Sequence, residues 1–244
     1  MVTLEHKSCF DFLKEIEDES VSLVLIDPPY EISRETGFKK GGGVDRLRIS
    51  MDFGDWDKEF KNLDIVIKEC YRVLKKGGTL ICFYDIWKIS TLYDYFNAAK
   101  FKQIRFIEWL KTNPVPINSK VNYLTNSREI AVVGVKIGKP VFHSEYDVGL
   151  YKYPICRDKG RFHPTQKPLN LIMDIIEKHT NPGDIVLDCF SGSGTTAVSC
   201  IRLNRSFIGC EIDDIYYKKS KERIDKELKA QDLEKEKDEN YEEE

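Results

Sequence analysis

The sequence has no hydrophobic run long enough to cross a bilayer, and it lacks the apolar beginning of a signal peptide. Its longest apolar stretches lie around 21–26 and 130–135. These are far shorter than the ~20 residues that a spanning helix needs. Charged residues are spread through the N-terminal segment, so nothing in it predicts export. The expected location is the cytoplasm.

Cysteine pairs with metal-ligand spacing are also lacking. The seven cysteines are odd in number, and no two stand in a C-x-x-C arrangement. Several fall inside apolar runs, which is typical of buried, reduced thiols in a cytosolic protein. The four histidines show no ligand spacing either. We therefore expect neither a disulfide framework nor a metal site.

Excess charge is confined to one end of the chain. The net charge is −3, but residues 231–244 contain eight acids and two lysines, which leaves +3 on the rest. Such a block of like charge is typical of a solvated tail. Since ~150 residues make one domain, the length of 244 residues predicts one domain over 1–230 and a flexible acidic tail over 231–244.

Predicted strands alternate with predicted helices along the chain. This order favours an α/β doubly wound sheet, mostly parallel and buried on both faces. Loops are expected at Glu31–Gly54 and Asn113–Arg128, and 138–164 is expected to be irregular. The predicted strands are Val2–His6, Val21–Ile26, Thr79–Tyr84, Ile104–Leu110, Glu129–Ile137, Asp184–Asp188 and Ser206–Cys210. The predicted helices are Cys9–Glu17, 58–74, Ile89–Ala99, Lys167–His179, Ala197–Leu203 and Asp213–Lys229.

A glycine-rich turn follows one of the predicted strands. The segment 184–197 reads DIVLDCFSGSGTTA, and its last six residues satisfy G-x-G-x-x-A. A strand, a glycine turn and a helix start allow backbone N–H groups to approach a ligand closely. Glu211 ends the next predicted strand, where a carboxylate can bind ribose hydroxyls. A tight turn with no ligand is the alternative, but the complete arrangement favours nucleotide binding.

A second polar segment, Asp27-Pro28-Pro29-Tyr30, ends the predicted buried strand Val21–Ile26. Ligands of open α/β sheets bind outside the carboxyl ends of the strands. The Asp27 carboxylate and the Pro28 carbonyl suit the two hydrogens of an exocyclic amine, and Tyr30 offers a ring for base stacking. A strand-ending turn with a buried tyrosine would look the same. For a shared site, Asp27 must lie beside the glycine turn.

Taken together, these segments resemble the β group of amino-methyltransferases that act on DNA, in particular its small stand-alone restriction–modification members. In that group the D-P-P-Y block precedes the cofactor block. The resemblance covers about residues 1–228. It rests on Asp27-Pro28-Pro29-Tyr30, His163-Pro164-Thr165-Gln166-Lys167-Pro168, the segment DCFSGSGTT at 188–196 and Phe207-Ile208-Gly209-Cys210-Glu211.

The resemblance implies a seven-stranded, Rossmann-like methyltransferase sheet with a circularly permuted order of motifs. It implies S-adenosylmethionine as the cofactor, with its carboxylate held by Thr165, Gln166 and Lys167 at the start of a helix. Relatives commonly carry Asp where Ser8 stands, and a hydroxyl accepts a weaker hydrogen bond. The full set of implied cofactor residues is Ser8, Cys9, Asp27, Thr165, Gln166, Lys167, Asp188, Phe190, Ser191, Gly192, Ser193, Gly194, Thr195 and Glu211.

The implied reaction is methyl transfer to the N6 amine of an adenine flipped out of the DNA stack. Asp27, Pro28, Pro29 and Tyr30 are the implied catalytic residues. The family tendency is Asp at the first position of the block for adenine and Ser for cytosine, so Asp27 favours adenine over N4-cytosine. A nicotinamide-dependent oxidoreductase is the alternative from another class, since G-x-G-x-x-A also occurs there.

Basic and polar side chains near the predicted site are candidates for DNA contact, although each could equally be an ordinary solvated residue. By family order, a short target-recognition region falls at about 112–162. Relatives are often dimers and often have a paired restriction endonuclease. The candidates for DNA contact are Arg34, Lys39, Lys40, Arg46, Arg48, Lys111, Asn113, Lys120 and Arg128.

Overall fold

The computed structural model describes residues 1–30, 60–114, 124–157 and 160–242. Within these ranges eight strands form one sheet, flanked by helices. The strands are β1 (Val2–His6), β2 (Val21–Ile26), β3 (Leu74–Tyr84), β4 (Lys102–Lys111), β5 (Arg128–Val135), β6 (Leu150–Tyr153), β7 (Ile185–Asp188) and β8 (Ser206–Glu211). The helices are α1 (Cys9–Glu15), α2 (Leu63–Val73), α3 (Ile89–Ala98), α4 (Leu169–His179), α5 (Thr195–Arg202) and α6 (Asp214–Glu242).

The strand order is β1-β8-β7-β2-β3-β5-β4-β6. Five of the neighbouring pairs are parallel, and β5 runs against both of its neighbours. The predicted doubly wound, mostly parallel α/β sheet is therefore confirmed. The expectation of seven strands is wrong for the described residues, because β6 pairs with β4 inside the stretch predicted to be irregular.

Apolar side chains alternate between two cores, one on each face of the sheet. On β2, Val24 and Ile26 belong to one core, while Leu23 and Leu25 belong to the other. Helices α1, α2 and α3 pack on the first face, and α4, α5 and α6 on the second. Burial of both faces explains why β2 reads as a continuous apolar run.

Several predicted boundaries move. Helix α2 ends at Val73 rather than 74, and Lys75-Lys76-Gly77-Gly78, predicted to close it, belongs to β3. Helix α4 begins at Leu169 rather than Lys167, with Pro168 at the N-cap. The last helix runs to Glu242 rather than to about Lys229, so the acidic segment is mostly helical. The predicted loop Glu31–Gly54 lies outside the described residues.

None of the helices in the described part of the chain is long and apolar enough to cross a membrane.

The core is closed by buried aromatic side chains on both faces, among them Phe12, Phe83, Phe96 and Phe207. The sheet is therefore a rigid support for the residues that follow its strands.

Candidate active site

The carboxyl ends of β2 and β7 lie side by side in the centre of the sheet. The helix after β2 packs on one face of the sheet, and the helix after β7 packs on the other. Such a reversal opens a crevice at the strand ends, which is where ligands of open α/β sheets bind. A cavity of about 820 Å³ is found here, and both Asp27 and Gly192 line it. The two segments that the sequence singled out therefore share one cavity.

The turn after β7 is shaped by two glycines with positive φ. Gly192 has φ +50° and Gly194 has φ +71°, a region that residues with a side chain rarely adopt. The backbone N–H of Gly192 donates to Glu211 Oε2 at 2.7 Å. Arg223 of α6 donates to the Ser193 carbonyl at 2.9 Å. The turn is thus held from the end of β8 and from the last helix.

Two carboxyl groups sit below this turn. Burial raises the pKa of Asp188 to about 7, although the Thr196 hydroxyl and the Phe190 N–H donate to it at 2.7 Å and 3.0 Å. Burial also raises the pKa of Glu211, opposed by the N–H groups of Asp213 and Gly192. Because both of these donors belong to its own turn, Asp188 helps to fix the shape of that turn.

Ser191 Oγ and Gln166 Oε1 are buried polar atoms on the cavity wall that have no hydrogen-bond partner among the described residues. Leaving a buried polar atom unsatisfied costs about 1–3 kcal/mol. Together with the Glu211 carboxylate, these atoms form a polar part of the cavity wall, which fits a ligand with hydroxyl, amino and carboxylate groups.

The Asp27 carboxylate is held from two sides. Tyr30 donates its hydroxyl to Oδ1 at 2.5 Å, and Lys167 donates to Oδ2. Lys88 donates to the Tyr30 carbonyl at 3.1 Å and so supports the turn. The ring of Tyr30, which was expected to stack on a base, packs edge-on against Tyr84, and its hydroxyl bonds to Asp27. Burial and the Asp27 charge raise the pKa of Tyr30 well above its usual value, so it remains a donor.

Glu129 is a cavity residue that sequence reasoning did not find. It is the second residue of β5, and because β5 is antiparallel, its beginning lies at the edge where the other strands end. Its Oε1 pairs with Lys111 at 2.7 Å and its Oε2 with Lys167 at 3.1 Å. Burial acts to raise the pKa of Glu129, but the two lysines outweigh it and lower the pKa. The reverse holds for Lys167, whose pKa is raised by Asp27 and Glu129 against the effect of burial.

The structure gives Lys167 a different partner from the expected one. Thr165, Gln166 and Lys167 precede the first residue of α4, so they do not form a helix start. The ammonium group of Lys167 lies between Asp27 and Glu129. The sequence did not predict this pairing with two carboxylates.

The remaining predicted cofactor residues also line the cavity, apart from Gly194, which is not among its lining residues. Ser8 is the N-cap of α1 and makes two hydrogen bonds with Asp11. The Asp11 N–H donates to Ser8 Oγ at 3.2 Å, and the Ser8 hydroxyl donates to the Asp11 carboxylate at 2.7 Å. Cys9 is buried in α1, where burial raises its pKa to about 12. The structure thus gives Ser8 a capping role in addition to its place on the cavity wall.

His163 was noted only as part of the H-P-T-Q-K-P segment, and the structure places it over the glycine turn. A Cβ on Gly192 would lie 3.4 Å from its Nε2. Its ring packs edge-on against Tyr216 at 4.3 Å. Burial and the charge of Lys167 lower its pKa to about 4, so it is neutral at neutral pH. No charge or spacing signal distinguishes this histidine in the sequence.

Three of the predicted DNA contacts can be placed. Lys111 is mostly buried and pairs with Glu129, so its charge is already neutralised inside the protein. Asn113 accepts the Ile155 N–H at 2.7 Å and thereby ties two segments together. Arg128 lies on the cavity rim, is 63% exposed and pairs with Glu108 at 2.6 Å. Arg34, Lys39, Lys40, Arg46, Arg48 and Lys120 lie outside the described residues.

The sheet is doubly wound, and one cavity is lined by the glycine turn, by the Glu211 carboxylate and by the acidic segment at Asp27. This combination is typical of an α/β enzyme that binds a nucleotide cofactor. The family model for DNA methylase matches residues 21–222. The chain is 33% identical to the type II methyltransferase M2.DpnII of Streptococcus pneumoniae, over 92% of this chain and 90% of that protein. It therefore belongs to the DNA methylase family and is a DNA methyltransferase.

Solved structures agree with this assignment. The M1.HpyAVI–SAM complex superposes with a TM-score of 0.70 at 30% identity, covering 91% of this chain and all of that one. The cytosine-N4-specific PvuII DNA methyltransferase gives a TM-score of 0.70 at 18% identity, over 94% of this chain and 92% of that one, and supports the fold alone. The oxidoreductase alternative therefore has no support.

Proposed function

We propose that this chain is a β-group enzyme that transfers a methyl group from S-adenosylmethionine to the N6 amine of an adenine flipped out of DNA. The observation that carries the proposal is that Asp27 and the Gly192 turn line one cavity. An amine-binding carboxylate and a cofactor-binding turn must face each other for direct transfer. The D-P-P-Y block after β2 precedes the cofactor block at the end of β7, in the permuted order of that group.

Asp27 retains the capacity to accept an amine hydrogen. An ionised carboxylate has about four acceptor positions, and Tyr30 and Lys167 occupy two of them. The Pro28 carbonyl, held in a rigid proline pair, accepts the second amine hydrogen. As positive charge develops on the amine nitrogen, a fixed carboxylate stabilises it.

The cofactor end of the cavity fits S-adenosylmethionine, which when bound supplies an electrophilic methyl group on a sulfonium. Glu211 would accept from the ribose hydroxyls, and Ser191 Oγ and Gln166 Oε1, which lack a partner among the described residues, would bind polar groups of the cofactor. The backbone around Gly192 lies against its amino-acid part. The other residues proposed for this end are Ser8, Cys9, Thr165, Asp188, Phe190, Ser193, Gly194 and Thr195.

Adenine is proposed over cytosine because an aspartate, not a serine, begins the D-P-P-Y block. The test is mass spectrometry of nucleosides from DNA incubated with the enzyme and S-adenosylmethionine. N6-methyladenine supports the proposal. N4-methylcytosine would establish the alternative substrate, and the absence of any methylated base would contradict methyl transfer to DNA.

The biological setting is proposed from the type II relatives. A cytoplasmic methyltransferase paired with a restriction endonuclease protects host DNA at one short site, read here by the region at about 112–162. A homodimer is the proposed assembly. Sequencing of modified DNA from cells that express the chain gives the site, and sedimentation velocity gives the assembly.

A further inference from the structure

The side chain of Lys167 lies between two carboxylates that line the cavity. Its ammonium is paired with Asp27 and lies 3.1 Å from Glu129 Oε2. The side chain is only 8% exposed, and the ammonium lies 4.8 Å from the centre of the Phe83 ring. This lysine therefore joins the turn after β2 to the first residues of β5, across a desolvated part of the site.

The four charges of this cluster balance. Asp27 and Glu129 contribute two negative charges, and Lys167 and Lys111 contribute two positive charges. Removing one partner of a buried ion pair leaves an uncompensated charge, which costs far more than the pair contributes. Glu129 therefore does more than hold Lys167 in place, since it also offsets the positive charge that Lys167 brings to Asp27.

The pairing of Lys167 with both carboxylates suits the role proposed for Asp27, which accepts a hydrogen bond from an amine that becomes positively charged. A lysine beside Asp27 fixes the direction of the carboxylate, but an unbalanced lysine would repel the positive charge that forms on the amine. With Glu129 on its other side, Lys167 orients Asp27 without cancelling its charge. Lys111 pairs with the other carboxylate oxygen, Glu129 Oε1, and so helps to hold Glu129 in place.

We propose that Lys167 is a positioning residue that orients the Asp27 carboxylate toward the amine, and that Glu129 is its counter-charge. This inference rests on the proposed function. It assigns Lys167 a role different from binding the cofactor carboxylate, the role that the family resemblance implies. Displacement of a reacting group by about 1 Å can cost about 100-fold in rate, so the loss of this ion pair falls on the rate of transfer.

Four variants test the role: Lys167→Met, Lys167→Arg, Glu129→Gln and Lys136→Met. Lys136 is the matched control, because it too is a buried lysine paired with a glutamate. Its ammonium donates to two backbone carbonyls, and it lies away from this cavity. The measurements are kcat with saturating DNA and S-adenosylmethionine, the Kd for S-adenosylmethionine without DNA, and the thermal unfolding midpoint.

We expect Lys167→Met to lower kcat about 100-fold and to leave the cofactor Kd within about threefold of wild type. Lys167→Arg keeps kcat within about tenfold, because it retains the charge and both partners. Glu129→Gln lowers kcat about tenfold at unchanged Kd, since Lys167 is then unbalanced. Lys136→Met lowers the unfolding midpoint and leaves both kcat and Kd unchanged.

A Kd raised about tenfold or more in Lys167→Met, whatever its kcat, would assign the lysine to the cofactor and overturn the proposal. Wild-type kcat and Kd in that variant would overturn it too, and so would a Lys167→Arg as slow as Lys167→Met. If Lys167→Met does not fold, Glu129→Gln decides, and a wild-type kcat there overturns the proposal. A wild-type chain that methylates no DNA is a different result, since it removes the proposed function itself.

Discussion

The backbone N–H of Gly192 donates to the carboxylate of Glu211 at 2.7 Å, joining the turn after β7 to the end of β8. Gly192 begins the G-x-G-x-x-A segment, and Glu211 is the acid at the end of the next strand. The bond orients the carboxylate into the cavity, and the turn keeps its left-handed conformation at φ +50°. Backbone and side chain therefore form one unit, and each can be tested separately.

Replacing Gly192 by alanine tests the turn. The positive φ makes any side chain strained by about 1–2 kcal/mol, and the new Cβ would lie 3.4 Å from His163 Nε2. Gly183→Ala is the matched control, because Gly183 has φ +84° but its Cβ would meet nothing within 4 Å. We expect both variants to lose stability in urea unfolding, and Gly192→Ala alone to lose affinity for S-adenosylmethionine. Equal cofactor affinity in both would contradict the proposed place of the turn.

Replacing Glu211 by glutamine tests the ribose contact. Hydrogen bonds to a charged group contribute about 1.5–3 kcal/mol, so we expect the Kd for S-adenosylmethionine to rise about 10- to 100-fold. Equilibrium binding without DNA measures it. Glu227→Gln is the control, since Glu227 pairs with Arg202 outside the cavity. An unchanged Kd in Glu211→Gln would remove the proposed ribose contact.

Replacing Asp27 by asparagine tests the amine acceptor. The substitution keeps the size of the side chain but removes the negative charge that stabilises the amine cation. We expect kcat to fall at least about 100-fold while cofactor affinity stays near wild type. Asp225→Asn, on the exposed pair with Lys221, is the control and keeps full activity. Transfer by Asp27→Asn at the wild-type rate would refute the catalytic assignment.

The stability of the protein at acid pH depends on buried histidines. Burial lowers the pKa of His179 from 6.5 to about 4, and its Nδ1 has no hydrogen-bond partner among the described residues. A lowered pKa means that the stabilising contribution is present above pH 6.5 and is lost as the pH falls through about 4. This lowering of the His179 pKa corresponds to about 3 kcal/mol of unfolding free energy.

The difference in unfolding free energy between wild type and His179→Gln isolates this contribution. His163 and Asp188 titrate in both proteins, so their effects cancel in the difference. We expect the difference to shift by about 3 kcal/mol against wild type between about pH 7 and about pH 4. Urea unfolding at a series of pH values measures it, and a difference that does not vary with pH would show that His179 is not buried neutral.

Local signals in the sequence were sufficient for much of the fold. β2 was predicted with its observed bounds, because a short apolar run that ends at two prolines indicates a buried strand. The glycine turn and helix α5 followed from residues within one short segment, although α5 begins at Thr195 rather than at the predicted Ala197. Such features depend on neighbours along the chain, and the chain itself supplies them.

Features that depend on distant neighbours were missed. β6 has only four residues, and it becomes a strand because β4 supplies its hydrogen-bond partners. Lys167 was expected to bind the cofactor, but the ends of β2 and β5 bring two carboxylates to its ammonium. A lysine in a sequence does not indicate which acid it will meet, since 140 residues separate Lys167 from Asp27.

The amino-acid sequence alone determined the class of the fold, the two acidic strand ends and the family, because these follow from hydrophobic period, turn residues and motif order. Only the tertiary structure decided that Glu129 enters the site. One strand of the sheet runs against its neighbours, so its first residues lie where the other strands finish. Strand direction is set by packing of the whole sheet, and no short stretch of residues carries that information.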